Sequence, residues 1–356
     1  MGYDAGRALE RNVRFMENRE ARGVLIRCTD FGPLDLPAAD PLERFRFPGE
    51  IRRFCDQVIE RHLRFAERHA ALDDDWLPAL KPYLGIAEHS SFLGGEVRYG
   101  GNTSYHIPPL CSIGDWEALR PDRWEPHYAM MLEGMAYLRE RGADNGFYSS
   151  LRGGDGPLDI ANAVRGNDLF YDVYDDPEAV HAFLAFCTEC AAWTFRNQRP
   201  LASDVCGGVI SGMSTWMPGT SIGHLSEDAS CLCSPEMYEE FGLPYTADLV
   251  GRYDGALLHV HSLGRICIPL FCRMEKISVF QISGDPHQPE AIDVYREYAD
   301  ALRDRTVLLD MTPQEVRENI GFLRDRRTIV NLNAQSLREA EEILALVREQ
   351  APVETD

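Results

Sequence analysis

The stretch Gly255-Ala-Leu-Leu-His-Val-His-Ser-Leu-Gly264 decides the reading of this chain. Its apolar run into His259 and His261 predicts a strand buried on both faces, the kind found in parallel sheets. Side chains alternate along a strand, so both imidazoles share one face, about 6 to 7 Å apart along it. Ser262 and Gly264 then open a loop. Two imidazoles on one face at a strand's end are equipped to share a metal, or one proton and an anionic substrate. The competing reading is two core histidines satisfied by backbone carbonyls.

Working outward, strand-like runs recur at Gly23 to Arg27, Glu96 to Tyr105, Gly146 to Leu151, Val205 to Met213, Ser278 to Ile282, Val307 to Asp310 and Thr328 to Asn333. Between them lie segments with apolar residues at helical spacing: Pro177 to Phe195, Pro235 to Tyr253, Pro289 to Leu302, Pro313 to Leu323 and Leu337 to Glu349. Several carry helix-start signatures, as in Asp176-Pro177, Ser234-Pro235 and Thr312-Pro313. With Ala256 to His261 the strands number eight. This alternation predicts an α/β fold, a single (β/α)8 TIM barrel whose site lies at the strands' C-terminal ends. One domain is expected over residues 1–356. Residues 1–90 would hold the first strand and a helical extension, with one clear helix from Gly49 to Ala71, capping the barrel mouth.

The formal net charge is −21. So acidic a surface repels phosphate backbones and anionic lipid, which argues against nucleic-acid and membrane partners. Met1 to Glu20 is charged throughout and lacks the apolar core of a secretory signal. The ten cysteines follow no disulfide framework. A cytoplasmic protein with reduced thiols is expected.

A metal on His259 and His261 needs at least one further ligand. Cys206, Glu227, Asp228, Cys267, Asp285 and Asp310 are the candidates, and no spacing singles one out. Glu227-Asp228 would supply a general base or a ligand, or else a solvated loop. Asp285 and Asp310 end apolar strands, where an unpaired carboxylate is costly. Asn331 and Asn333 share a face of the last strand and would contact a ligand. Cys231 and Cys233 precede a helix whose N-terminus would lower a thiol pKa, or simply pack its junction. In Arg152-Gly-Gly-Asp-Gly-Pro157, a glycine turn before a helix would offer N–H groups to an anion, with Arg152 adding charge, or be an ordinary turn. Asp73-Asp-Asp75 reads as solvated.

Four of these pieces, in order, resemble the superfamily of uroporphyrinogen decarboxylase and the corrinoid-dependent methyltransferases. They are Gly156-Pro-Leu-Asp-Ile-Ala-Asn-Ala-Val-Arg-Gly166, Asp175-Asp-Pro-Glu178, Ser234-Pro-Glu-Met-Tyr-Glu-Glu-Phe-Gly-Leu-Pro244 and His259-Val-His261-Ser-Leu-Gly264. The resemblance runs from Gly146 to Val347 and implies a single (β/α)8 barrel, and a homodimer. Decarboxylases of that family carry an arginine-rich N-terminal segment, which Arg22 to Gly32 lacks. Thiol-methylating members hold zinc with His-x-Cys and a later Cys. Here His261 replaces the first cysteine, and Asn331 and Asn333 stand where the second would be sought. The resemblance therefore implies methyl transfer from a small polar donor to a corrinoid on a partner protein, because the chain lacks a cobalamin-binding Asp-x-His-x-x-Gly segment. His259 and His261 would hold zinc or another divalent metal, or place the donor. Glu227 or Asp285 would be base or supporting partner, and Trp216 would cover a cationic donor. A decarboxylase or lyase of a carboxylate-rich substrate would instead gather Arg98, Arg152 and Arg265 at the mouth. A non-catalytic binding protein would bury both histidines against backbone.

Overall fold

The computed structural model describes residues 2–34 and 36–353. Seven parallel strands make its main sheet: β1 (Gly23–Phe31), β2 (Gly154–Asp155), β3 (Ile222–Ser226), β4 (Ala256–His261), β5 (Ile277–Ser283), β6 (Thr306–Met311) and β7 (Arg327–Ala334). From β2 to β7 each strand lies beside its neighbours in chain order, and β7 returns to pair with β1. The fold is mixed α/β, with helices such as Pro177–Gln198, Pro313–Leu323 and Leu337–Gln350 between or after the strands.

Alternation along the strands sorts side chains onto two faces. Val24, Ile26, Leu258, Val260, Phe280, Ile282, Leu309 and Val330 take one face and pack into the large core shared with the helices. Leu25, Leu257, Val279, Leu308 and Ile329 take the other, in a second core. Helix Ala5–Glu17 and the antiparallel hairpin Gly208–Ile210/Trp216–Pro218 complete that second core through Ala8, Phe15, Trp216 and Met217. Two residues further along each strand, the same face turns polar: Arg27, His259, Gln281, Asp310 and Asn331. The apolar layer is a floor, and the polar layers above it are where a site can form.

Several expected elements differ. The run Val205 to Met213 forms one arm of the hairpin just described, while the parallel strand is Ile222–Ser226, 14 residues beyond Gly208 in the chain at its first residue. Glu96 to Tyr105 is an antiparallel hairpin turning at Gly101, whose φ of +63° suits a glycine. Gly146 to Leu151 contracts to Tyr148–Ser149, paired in parallel with Ala79–Leu80. Pro235 to Tyr253 breaks at Gly242, where a Cβ would collide with the Tyr238 ring. The charged N-terminus is an amphipathic helix whose cap, Asp4, accepts from the Arg7 N–H. Among the described residues no helix is long and apolar enough to cross a membrane.

The acidic run is not solvated as expected. Asp74 and Asp75 are buried and pin β1. Asp74 accepts from the Cys28 N–H at 2.6 Å, the Trp76 N–H at 3.1 Å and His69 Nε2 at 2.9 Å. Asp75 accepts from the Ile26 N–H at 2.8 Å and pairs with Arg11. These carboxylates stand where the next strand's carbonyls would be, so polarity in the sequence here signals backbone capping. Asp74→Ala strands several buried donors and is expected to cost about 3 kcal/mol or more. Urea unfolding measures this; a loss under about 1 kcal/mol would show that β1 is held otherwise.

Candidate active site

β4 delivers its histidines in register with β5, His259 opposite Gln281 and His261 opposite Ser283. Each ring is fixed through Nδ1. His259 Nδ1 meets Gln281 Oε1, and the Gln281 amide nitrogen donates to Ser283 Oγ at 3.0 Å, which leaves its oxygen as the acceptor. His261 Nδ1 lies 2.7 Å from Asp285 Oδ1. Burial alone would raise the Asp285 carboxyl, but the Leu263 N–H, His261 and the Ser262 hydroxyl outweigh it and hold it below the usual carboxylate value. Both Nδ1 atoms therefore carry hydrogens and donate them.

The consequence falls on the other nitrogens. His259 Nε2 and His261 Nε2 face each other at 3.1 Å. In neutral imidazoles protonated at Nδ1, each Nε2 presents a lone pair. Burial pushes His259 down, although Asp228 and Gln281 oppose it, and so favours the neutral ring. Asp228 Oδ1 completes the triangle, 3.6 Å from His259 Nε2 and 3.7 Å from His261 Nε2. Three acceptors face one point, with no two of these atoms more than 4.8 Å apart. A proton or a cation must sit among them. A zinc ion with Zn–N bonds of about 2.0 to 2.1 Å and tetrahedral angles needs nitrogens roughly 3.3 Å apart, so the donor set fits such an ion. Its supporting partners, a carboxylate and an amide on the far ring nitrogens, are those that orient metal-bound histidines.

Asp228 opens the short turn Asp228–Leu232 after β3. Asp159, on helix Pro157–Arg165, accepts from the Asp228 and Ala229 N–H groups at 2.9 and 2.7 Å and so sets where Asp228 stands. Its neighbour in sequence has a different fate. Glu227 is fully buried, accepting from Thr246 Oγ1 at 2.6 Å and the Tyr238 hydroxyl at 3.1 Å. Burial, reinforced by Asp159, pushes its carboxyl well up. It braces β3 against Gly156, where a Cβ would strike Glu227 Oε1, and is not placed to act as a base.

Beside the three ligands lies a cavity of about 420 Å³, lined by Lys81, His89, Arg152, Asp155, His224, Asp228 and His259 among others. That volume is in the range of small-molecule sites. His89 Nδ1 and Asp155 Oδ1 are 2.8 Å apart. Burial disfavours charge on either partner, taking the Asp155 carboxyl up to about 8 and His89 down to about 3. Asp228 adds to the rise at Asp155, and Arg152 to the fall at His89. The pair thus keeps a proton at neutral pH and offers it without separated charge.

The glycine turn is not the expected anion cradle. Gln198 Oε1 accepts from both the Arg152 and Gly153 N–H groups at 3.1 Å, and the Gly156 N–H goes to the Ser226 carbonyl at 2.8 Å. Arg152 lines the cavity but is buried against Glu88 at 2.8 Å. Trp216 is in the floor, 1% exposed, its indole N–H on the Val205 carbonyl, and so cannot cover a donor at the mouth. Asn331 links Arg27 to Asp310 at 2.6 and 2.8 Å, and Asn333 meets Thr29 Oγ1. Asp310 borders a separate 260 Å³ cavity. Cys206 is exposed and Cys267 buried, both outside the histidine–aspartate triangle. Burial pushes the Cys231 and Cys233 thiols up to about 12, against the lowering that a helix N-terminus suggested. Sequence reading missed Lys81, His89, Asp155 and His224, which come from different strands and loops and share no spacing; His224 belongs to β3.

No family model matches the chain, and no curated protein matches its sequence. Among solved structures, a methyltransferase from Methanosarcina mazei is similar over 96% of this chain and 98% of its own, with a TM-score of 0.61 and 11% identity. At that identity the likeness is one of fold.

Because Glu227 is a buried brace outside the histidine–aspartate triangle, Glu227→Gln is expected to keep metal affinity and to change stability by less than about 1 kcal/mol. Glu227→Ala, which strands two hydroxyls, is expected to cost about 2 kcal/mol. Loss of metal binding in the glutamine variant, read by titration with zinc, would instead make Glu227 part of the site.

Proposed function

We propose that the chain closes into one (β/α)8 barrel domain and is a metal-dependent methyltransferase, moving a methyl group from a small polar donor to a corrinoid carried by a separate protein. Closure is supported by the bonds that lead from β1 toward β2: the Asp75 N–H to the Ile26 carbonyl and the Tyr148 N–H to the Pro78 carbonyl. The observation that carries the function is the pair of opposed Nε2 lone pairs with Asp228 beside them, at the edge of a small-molecule cavity. The fold shared with a methyltransferase fits this reading.

A divalent metal such as zinc, held by His259, His261 and Asp228, supplies a Lewis acid when bound. Gln281 and Asp285 keep both rings aimed at it. The donor's heteroatom needs a proton as its bond to the methyl carbon breaks and it keeps the electron pair. Asp155, hydrogen-bonded to His89 in the cavity wall, holds such a proton. The low-dielectric walls favour a donor that presents its methyl group away from water. The corrinoid acceptor arrives on a partner protein.

The arginines weigh against decarboxylation of a carboxylate-rich substrate. Arg98 pairs with Glu96 on an exposed hairpin, and Arg265 bonds the Ser262 carbonyl and Gln288. Only Arg152 reaches the cavity, already neutralised by Glu88. A purely non-catalytic role fits poorly too, because the histidines bond side chains and not backbone carbonyls.

Protein purified without chelator or affinity metal is expected to hold about one zinc or similar ion per chain, lost in His261→Ala. Asp285→Asn, which leaves the ligands intact, should weaken zinc about 10- to 100-fold. Zinc-loaded protein, given reduced cobalamin and a panel of methylated amines and ethers, should form methylcobalamin, followed by absorbance. Absence of metal in the wild type together with no methylation across the panel rejects the proposal.

A further inference from the structure

The chain contains 36 basic Lys and Arg residues, and only two of them, Lys81 and Lys276, are lysines. Arginine serves nearly everywhere a positive charge is needed, on the surface and in the core. Lysine differs in being a compact cation that gives up its proton when desolvated. One of the two stands in the cavity wall, just after Ala79–Leu80.

Lys81 is deep in the protein yet keeps part of its surface open to the cavity. Its Nζ donates to the Gly212 carbonyl, and the Tyr83 ring lies 5.9 Å away. Among the described residues no carboxylate lies within ion-pair distance of it. Its charged surroundings are Arg152, Glu88 and Arg27. Glu88 is already paired with Arg152. Arg27 bonds the Met213 and Ser214 carbonyls, the next two of the same loop, and reaches Asp310 only through Asn331. His89 and His224, also on the wall, have ring nitrogens without a partner. The Lys81 ammonium therefore stands in the cavity wall with no anion in place. An unpaired buried ammonium is costly, and burial with the nearby Arg152 drives Lys81 down to about 7.

We propose that Lys81 anchors a carboxylate on the substrate, so that the molecule taken by this cavity is a small monocarboxylate whose other end faces His259, His261 and Asp228. This rests on the cavity being the substrate site of the methyl transfer proposed above. One negative charge answers the ammonium in the cavity wall, which has no counter-ion among the described residues. A phosphate fits less well. The glycine-turn N–H groups that would cradle it are taken by Gln198 and Ser226, and its second charge would have only Asp228 to face across the cavity. The class of donor is then an N- or O-methylated amino or hydroxy acid, in place of a simple methylamine or methyl ether.

Having two lysines makes the test direct. Full-length protein labelled with 13C at lysine Cε gives two side-chain signals, and Lys81→Met assigns them. Acetate, propionate and inorganic phosphate are the probes, with zinc content measured in the same samples. Acetate or propionate is expected to shift the Lys81 signal and to raise its titration midpoint from about 7 toward the ordinary lysine value of 10.5, leaving Lys276 unmoved. Lys81→Arg, which restores a cation if the methionine variant folds poorly, should retain carboxylate binding by thermal shift. A Lys81 signal indifferent to both carboxylates, or one that answers phosphate alone, overturns the assignment. Carboxylate binding in protein that takes up no metal would leave this anchor standing while the metal-dependent reading failed. Zinc uptake with an indifferent Lys81 would do the reverse.

Discussion

Everything in this molecule depends on one face of a parallel sheet changing character along its strands. The alternation of side chains is indifferent to length, so a face that begins with Leu25, Leu257, Val279, Leu308 and Ile329 must continue with whatever follows at even spacing. Here the continuation is Arg27, His259, Gln281, Asp310 and Asn331. Groups of that kind tolerate burial only when hydrogen-bonded. The polar layers therefore organise themselves into networks above an apolar layer. Helix Ala5–Glu17 and the hairpin at Trp216 complete that apolar layer.

Within the polar layers the electrostatics divide. Toward β4 there is an excess of acceptors: two Nε2 lone pairs and Asp228. Toward the Gly212–Ser214 loop there is an excess of donors, Lys81 and Arg27 resting on successive carbonyls. Neither half is balanced by the protein alone. Separation of unlike charge across a small low-dielectric space gives a ligand orientation before it gives it affinity. A molecule with an anionic end and a Lewis-basic or cationic end enters such a space in only one sense.

Much of the fold was legible because its strongest elements are local. Ala256–His261 is the strand that its sequence describes, and β5, β6 and β7 differ from their expected limits by a residue or so. The first half was harder to read for a physical reason. β2 has two residues and the Ala79–Leu80 pair two, too short for any periodicity, and side chains such as Asp74 and Asp75 do the pairing that backbone does elsewhere. Of the site, His259 and His261 share a face as strand alternation requires, and Asp285 sits on His261. Asp228 was one of six possible third ligands, and only the turn held by Asp159 distinguishes it from Glu227 beside it. Trp216 misled because an aromatic near a presumed strand end says nothing about which end. His89 with Asp155, and Lys81 with the Gly212 carbonyl, meet across 66 and 131 residues of chain.

The pairing of β1 with β7 sets an order on the molecule's birth. Arg27 meets Asn331 across 304 residues, the Gly23 N–H is taken by the Arg326 carbonyl, and the Val24 N–H by that of Ala351. A ribosome delivers β1 long before any of these acceptors exists. Until then its apolar edge is open, and non-local pairing of this kind is slow to form and exposed to aggregation. Asp74 and Asp75, some fifty residues downstream, reach the Ile26 and Cys28 amides far sooner. They give the nascent strand a polar splint on one side while it waits for its partner on the other.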